Sequence, residues 1–337
     1  MNVQNALQAI HDQKFQSTYL VLGTEEYLQK QIRQAFIESL QLDVDDLNFA
    51  EFDMEEDPVD AILDEAESMP FFGDYRLIFV ENPFILTAEK KANAPEHDVE
   101  RLISYLKNPV DSTILVFFAE YVKLDERKKV SKQFKKYAEV IDVEPMNEAQ
   151  VRRFLQQTLD NDQISMDRNA FELFIRLTDA NLTKVMRELQ KLQLFAAKTK
   201  HISQKDVEEL VPKSLEDNVF DLTNYVLQGK TAEALQLYED LHIQGEETIK
   251  INAILISQIR IYLQTAILLN MGYQQGNITR SLNVHPYRVK LAIQQVRKMN
   301  IKTLTQLYDE LIENDYKIKT GQMDKEFLFQ LFLLKTA

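Results

Sequence analysis

The sequence predicts an α/β domain with a parallel sheet at the start of the chain, followed by two all-helical domains. Up to residue 145, apolar runs typical of buried strands alternate with helical patterns, an order that produces a parallel sheet covered on both faces. Six of the eight prolines lie in this part, so its elements are short, whereas long helical patterns fill the rest. A length of 337 residues also exceeds what one hydrophobic core usually serves.

Strands and helices are predicted in strict alternation in the first domain, residues 1–145. The predicted strands are at 18–22, 48–54, 76–80, 113–118 and 139–143. The predicted helices are at 25–40, 58–67, 99–106 and 126–137. Together these elements indicate a nucleotide-binding-like architecture.

The remaining residues are predicted to be helical throughout. A small domain at 146–212 has helical patterns at 146–159, 167–177 and 182–196, then a short helix that Ser203 caps and Pro212 ends. A third domain at 213–337 contains a long apolar helix at 251–269.

The net charge of −14 is confined to the first domain. Residues 1–145 hold 15 Lys and Arg against 29 Asp and Glu, whereas the rest of the chain holds 24 of each. Because an acidic domain repels a phosphate backbone, any contact with nucleic acid is expected from residues 146–337. The sequence has no cysteine, no leader and no run of membrane-spanning length, so we expect a cytoplasmic protein with no membrane partner.

The turn after the first predicted strand lacks the residues of a phosphate-binding loop. Such a loop has the pattern G-x-x-x-x-G-K-S/T, whereas residues 23–28 are Gly-Thr-Glu-Glu-Tyr-Leu. Two carboxylates at the start of a helix suit the helix dipole but repel a triphosphate. The histidines are scattered, and no catalytic constellation is recognisable. We therefore expect no nucleotide, metal or other cofactor in this chain.

Met69, Pro70, Phe71 and Phe72 form an apolar motif on the connection before the third predicted strand. Pro70 cannot continue a helix, and Gly73 frees the backbone to turn. Such connections usually run over the surface. Two interpretations stay open: the rings cover the core, since Phe is mostly buried, or they anchor a partner protein, since aromatic residues dominate interface hot spots.

The stretch from residue 278 to residue 296 has the spacing of a helix-turn-helix. In that interpretation Arg288 and Lys290 would face phosphates. The alternative is a basic face on a packing helix, which the absence of a basic bias across residues 146–337 favours.

These motifs resemble the delta subunit of the bacterial DNA polymerase III clamp loader, over essentially the whole chain. The resemblance rests on the 23–28 turn, on Met69 to Phe72 ahead of Arg76, and on the later stretches 216–269 and 314–321. It implies a degenerate AAA+ domain, a helical lid domain and a helical collar domain.

The resemblance also implies roles for particular residues. Met69, Phe71 and Phe72 would grip the sliding clamp, with Pro70 shaping the loop. Tyr316 would stack on DNA at the primer-template junction, although a helix-helix contact is an equal alternative.

The implied function is to bind and open the sliding clamp so that it can be loaded on primed DNA during replication. The implied partners are the clamp, ATP-binding tau/gamma-type and delta-prime-type loader subunits, and primer-template DNA within the complex. No catalytic site is expected in this chain, although the holoenzyme is a DNA-directed DNA polymerase, a nucleotidyltransferase. The alternatives are an active AAA+ ATPase and a helix-turn-helix DNA-binding regulator.

Overall fold

The computed structural model describes residues 1–43, 46–71, 73–89 and 91–335. The chain divides into two compact units, Met1–Met146 and Asn147–Ala337. The first unit contains the α/β elements, and the second is almost entirely helical, which confirms the predicted fold class. The assignment of residues 146–212 and 213–337 to separate domains stays a prediction.

A five-stranded parallel sheet forms the centre of the first unit. Its strands are β1 (Thr18–Leu22), β2 (Phe49–Asp53), β3 (Arg76–Glu81), β4 (Thr113–Ala119) and β5 (Glu139–Asp142). Their order across the sheet is β2-β3-β4-β1-β5, and every neighbouring pair is parallel. Each predicted strand is present, and its ends agree with the prediction to within one residue.

Helices cover both faces of this sheet. They are α1 (Val3–His11), α2 (Glu26–Leu40), α3 (Val59–Ala66), α4 (Val99–Lys107) and α5 (Lys129–Tyr137). On one face, apolar side chains of α3, α4 and α5 pack on β3 and β4 in one continuous core. On the other, Phe36 of α2 packs edge-on against Tyr19 and Phe79. Sequence reasoning did not predict α1, which packs on α2.

The second unit is built from helices and one short pair of parallel strands. The helices of its first part are α6 (Glu148–Asn161), α7 (Arg168–Leu177), α8 (Leu182–Phe195) and α9 (Gln204–Leu210), and the strands are β6 (Ser165–Met166) and β7 (His201–Ile202). The later helices are α10 (Leu215–Leu227), α11 (Thr231–Ile243), α12 (Thr248–Asn270), α13 (Gln275–Leu282), α14 (Pro286–Val296), α15 (Ile301–Lys319) and α16 (Lys325–Lys335). Side chains of α10, α11, α12, α15 and α16 share one apolar core.

Helix α12 is long and apolar enough to cross a membrane, the one such helix among the described residues. Its most apolar window has a mean hydropathy of 1.3, and 44% of that window is buried inside the protein. Ile251, Leu255 and Ile259 belong to the core that α12 shares with its neighbours. A core helix of a soluble protein has the same composition, so α12 is weak support for a membrane span.

Candidate functional site

The apolar motif lies on the connection between α3 and β3. Met69 exposes 87% of its surface and Phe71 exposes 56%, whereas Pro70 is half-buried. Phe72, the third predicted anchor, lies outside the described residues. Two of the predicted anchors are therefore accessible from solvent, and we refer to residues 67–75 as the anchor loop.

Two buried polar side chains hold the backbone of the anchor loop. The Oδ1 atom of Asn48 accepts a hydrogen bond from the backbone nitrogen of Phe71, at 2.5 Å. The guanidinium of Arg76 donates to the carbonyl oxygen of Met69 at 3.3 Å and forms an ion pair with Glu65. Asn48 is 8% exposed and Arg76 is 5% exposed. Because buried polar groups need partners, these contacts link the shape of the loop to the interior.

The supports of the loop come from the amino ends of three adjacent strands. Asn48 directly precedes β2, and its carbonyl oxygen accepts from the nitrogen of Leu77 in β3, at 2.8 Å. Arg76 is the first residue of β3. Thr113 opens β4, and its hydroxyl donates to the carbonyl oxygen of Ala66 at the end of α3, at 2.8 Å. The amino ends of parallel strands meet at one edge of a sheet, so the anchor loop lies at that edge.

Three carboxylates on and directly after α3, the helix that leads into the anchor loop, are bonded to one arginine of α4. Arg101 of α4 donates to Asp60 at 2.9 Å, to Asp64 at 2.6 Å and to Glu67 at 3.1 Å. These hydrogen bonds, first that to Asp60, raise the pKa of the Arg101 guanidinium above its ordinary value. Helix α3 is thus joined to α4 along its length, up to the residue that begins the loop.

The turn after β1 lies at the opposite, carboxyl edge of the sheet, where open α/β folds usually hold ligands. Gly23 has a φ of 138°, and a Cβ added there would lie 2.4 Å from the backbone of Val143. The nitrogen of Gly23 donates to the carbonyl oxygen of Ala119 at 3.1 Å, and that of Glu25 donates to Val143 at 3.0 Å. The backbone after β5 therefore packs against this turn, and both amides are bonded within the protein.

The stretch with helix-turn-helix spacing forms α13, a turn at residues 283–285, and α14. Arg288 of α14 donates to both carboxylate oxygens of Asp179, each at 3.1 Å. Lys290 contacts both oxygens of Glu148, at 2.8 and 2.7 Å. Both cations are therefore paired with carboxylates of the same unit.

Tyr316 lies on another helix, α15, where 62% of its surface is exposed. A role in DNA contact for Tyr316, Arg288 and Lys290 stays a prediction. Within the part of the chain that the structure describes, no cluster of His, Asp and Glu could hold a metal ion.

Sequence reasoning missed Asn48 and Arg76 as supports of the loop, because it assigned both to strands. A usable signal was present, since each is a polar residue at the first position of a predicted strand. Such a side chain needs a buried partner, and a neighbouring loop offers free backbone groups.

Comparison with known proteins gives the family of the chain. The family described as "DNA polymerase III, delta subunit" matches residues 19–144, and "DNA polymerase III delta subunit, C-terminal domain" matches residues 216–336. The DNA polymerase III subunit delta of Bacillus subtilis strain 168 is 39% identical over 321 residues, which cover 94% of this chain and 92% of that protein. A probable DNA polymerase III subunit delta of Aquifex aeolicus strain VF5 is 21% identical over 215 residues, 63% of this chain and 61% of that one.

A solved structure agrees with the sequence comparisons. The Bacillus subtilis DNA clamp loader delta protein superimposes with a TM-score of 0.74 at 37% identity, and the match covers 99% of both chains. With two family domains in order, a relative alike over nearly its whole length and a matching fold, the chain belongs to the family of DNA polymerase III delta subunits.

Proposed function

We propose that this chain binds the sliding clamp through the anchor loop and opens the clamp so that it can be loaded on primed DNA. The observation that carries this proposal is the exposure of Met69 and Phe71 on a loop whose backbone is held by buried side chains. Exposed aromatic residues are frequent hot spots of interfaces. A backbone that is ordered before binding also reduces the conformational entropy lost on association.

Opening a ring requires more than tight binding. A ligand shifts a conformational equilibrium only by its difference in affinity between the two states, so the anchor loop must bind the open clamp more tightly than the closed one. A shift from 1:99 to 99:1 requires about 5.5 kcal/mol of such difference. In this proposal Asn48 and Arg76 hold the loop in one conformation, so that the difference in affinity is used to open the clamp and not to deform the loop.

The chain would act in the cytoplasm as one subunit of a loader. ATP would be bound by tau/gamma-type neighbours, a delta-prime-type subunit would be a further partner, and the helical second unit would pack against these subunits. Primer-template DNA would be met only within this assembly, with Tyr316 as the stacking candidate.

Two other functions have less support. An active ATPase needs backbone amides and a lysine at the turn after β1, where the nitrogens of Gly23 and Glu25 are bonded to backbone carbonyls instead. A helix-turn-helix regulator reads bases with the first residues of its second helix, where Arg288 and Lys290 are paired with Asp179 and Glu148.

The test is a binding titration of the purified chain with purified sliding clamp. Phe71→Ala is compared with Phe195→Ala, since Phe195 at the end of α8 is 57% exposed and so matches Phe71 in type and exposure. We expect clamp affinity to fall for Phe71→Ala and to be unchanged for Phe195→Ala. Equal affinities of wild type and Phe71→Ala would contradict the proposal.

A further inference from the structure

We propose that Asn48 is a positioning residue of the anchor loop, which fixes the backbone at Phe71 so that the ring is in its binding orientation before the partner arrives. This inference rests on the proposed function. It adds a residue that does not touch the clamp itself and acts through Phe71.

The position of Asn48 suits this role. Its side chain lies beneath the turn of the loop, because Oδ1 accepts from the nitrogen of Phe71 and a Cβ added at Gly73 would lie 3.6 Å from Nδ2. Its own backbone is fixed from both sides: its nitrogen donates to Asp46 at 2.7 Å, and its carbonyl oxygen accepts from Leu77. The side chain therefore transmits the rigid geometry of the sheet to the loop.

The side chains of Met69 and Phe71 are poorly placed to provide the same order. Met69 and Phe71 both keep more than half of their surface in solvent, so their burial contributes little to fixing the loop. At Met69 and Phe71, the backbone is restrained by hydrogen bonds to the buried side chains of Arg76 and Asn48.

Arg76 is a second support of the same kind. Its guanidinium bridges the Met69 carbonyl oxygen and the Glu65 carboxylate, and so joins the loop to the last turn of α3. The planar group presents several donors in a fixed geometry, which a lysine cannot reproduce. Asn48 and Arg76 together restrain the loop on either side of Pro70.

The first experiment compares Asn48→Ala with Asn48→Asp in clamp binding. Alanine removes the acceptor for Phe71, and we expect affinity to fall about tenfold, which corresponds to about 1.4 kcal/mol. Aspartate keeps an oxygen at the same place and is expected to retain most of the affinity. The matched control is Ser131→Ala. Ser131 lies on α5, and its hydroxyl donates a buried hydrogen bond to the carbonyl oxygen of Leu86, which the substitution removes. Its affinity should equal that of wild type.

A double-mutant cycle separates positioning from general structural support. If Asn48 acts through the ring, Asn48→Ala should weaken binding much less in the Phe71→Ala background than in wild type. Equal effects in both backgrounds, or full affinity of Asn48→Ala beside a weakened Phe71→Ala, would overturn the inference while the proposed function stands. Full affinity of Phe71→Ala would overturn the proposed function itself.

Hydrogen exchange of the wild-type chain gives a test that needs no variant. The amide of Phe71 is expected to exchange more slowly than that of an unbonded loop residue, because it is bonded to a buried acceptor. Exchange of this amide at the rate of an unstructured peptide would overturn the inference, even if Asn48→Ala fails to fold.

Discussion

The guanidinium of Arg288 and the carboxylate of Asp179 face each other in a two-point ion pair, 109 residues apart in the sequence. Asp179 follows α7 in a left-handed conformation, with a φ of 54°, and also accepts from Lys184 at 3.2 Å. Together with the pair between Lys290 and Glu148, this contact joins the first turns of α14 to the region of α6 and α7. Charged contacts therefore contribute to how the helices of the second unit are held together.

Asp179 should make the stability of the second unit depend on pH. Burial by itself raises the pKa of Asp179, but Arg288 and Lys184 outweigh it and hold that pKa below its ordinary value. A carboxyl group with a lowered folded-state pKa stabilises the fold above its unfolded pKa, about 3.9, and this contribution is lost as pH falls through the folded value. We expect Asp179→Asn to lower the midpoint of urea unfolding at pH 7 and to differ less from wild type near pH 3.

The stability of wild type alone does not isolate the effect of Asp179, because Asp217 also titrates, so wild type and Asp179→Asn are compared at each pH. Burial raises the pKa of Asp217, so its effect on stability has the opposite sign on acidification. Asp160→Asn, at an exposed position of α6, is the control. A gap between wild type and Asp179→Asn that is the same at both pH values would show that the ion pair does not stabilise the unit.

Phe71→Ala should separate binding from stability. Loss of a hot spot weakens binding by about 2 kcal/mol or more, at least about thirtyfold, whereas an exposed ring contributes within about 0.5 kcal/mol to folding. Phe79→Ala is the contrast, because loss of this fully buried ring should destabilise the protein by about 3 to 5 kcal/mol. Met69→Ala should weaken binding less than Phe71→Ala, since a flexible thioether adapts to many pockets.

The measurement is a thermal melt beside a clamp titration for each variant. The double variant Phe71→Ala/Phe72→Ala extends the measurement to Phe72, the third predicted anchor. A collapsed melting temperature for Phe71→Ala would mean that its ring supports the fold rather than a partner.

Gly23→Ala should destabilise the first unit. The added methyl group would meet the backbone of Val143, and the φ of 138° is unfavourable for any residue with a Cβ. We expect a loss of about 2 kcal/mol or more in the free energy of unfolding. Gly73→Ala is the control, because among the described residues its Cβ meets Asn48 Nδ2 at an ordinary 3.6 Å. Equal melting temperatures for the two variants would contradict the close packing of this turn.

The purified chain should neither bind nor hydrolyse ATP. The nitrogens of Gly23 and Glu25 donate to the carbonyl oxygens of Ala119 and Val143, so these two amides are not available to a phosphate. Glu25 precedes α2 and Glu26 begins it, and two carboxylates at this place repel a triphosphate. Calorimetric titration with magnesium-ATP should show no saturable heat. A dissociation constant in the micromolar range would favour the ATPase interpretation instead.

Tyr316→Ala should impair clamp loading on primed DNA by the assembled loader while leaving clamp binding by the isolated chain intact. The exposed ring can stack on a base, and stacking contributes about 1 to 3 kcal/mol per base. Tyr316→Phe keeps the ring and is the matched control, expected to load as wild type does. If all three proteins load clamp equally, the tyrosine has no part in DNA contact.

The sheet could be predicted from the sequence because β1, β3 and β4 contain continuous apolar runs, and because β2 and β5 are short apolar-rich segments that alternate with helical patterns. The first helix was missed although Val3, Ala6 and Ile10 have helical spacing, since a nine-residue amphipathic segment is a weak pattern by itself. Exposure of Phe71 was undecided for a different reason. An apolar pair on a loop is compatible with a lid on the core and with an anchor, and packing decides between them.

Long-range polar contacts were outside the reach of sequence reasoning. Asn48 and Phe71 are 23 residues apart, and Lys290 and Glu148 are 142 apart. No local pattern relates such residues, because their partners are set by the crossing of elements in three dimensions. Arg288 and Lys290 were therefore considered as a phosphate-facing pair, whereas in the structure each has a carboxylate partner.

The way the anchor loop is supported has a consequence for protein engineering. A synthetic peptide of residues 67–74 would carry the apolar side chains but none of the side chains that hold their backbone, so it would have to become ordered on binding and lose affinity. A graft onto another scaffold would need a parallel sheet with an asparagine before one strand and an arginine at the start of its neighbour. The part that can be transferred is thus the sheet edge together with its loop. A peptide inhibitor that imitates it should be cyclised so that the backbone at Met69 and Phe71 is held, while both side chains stay available for binding.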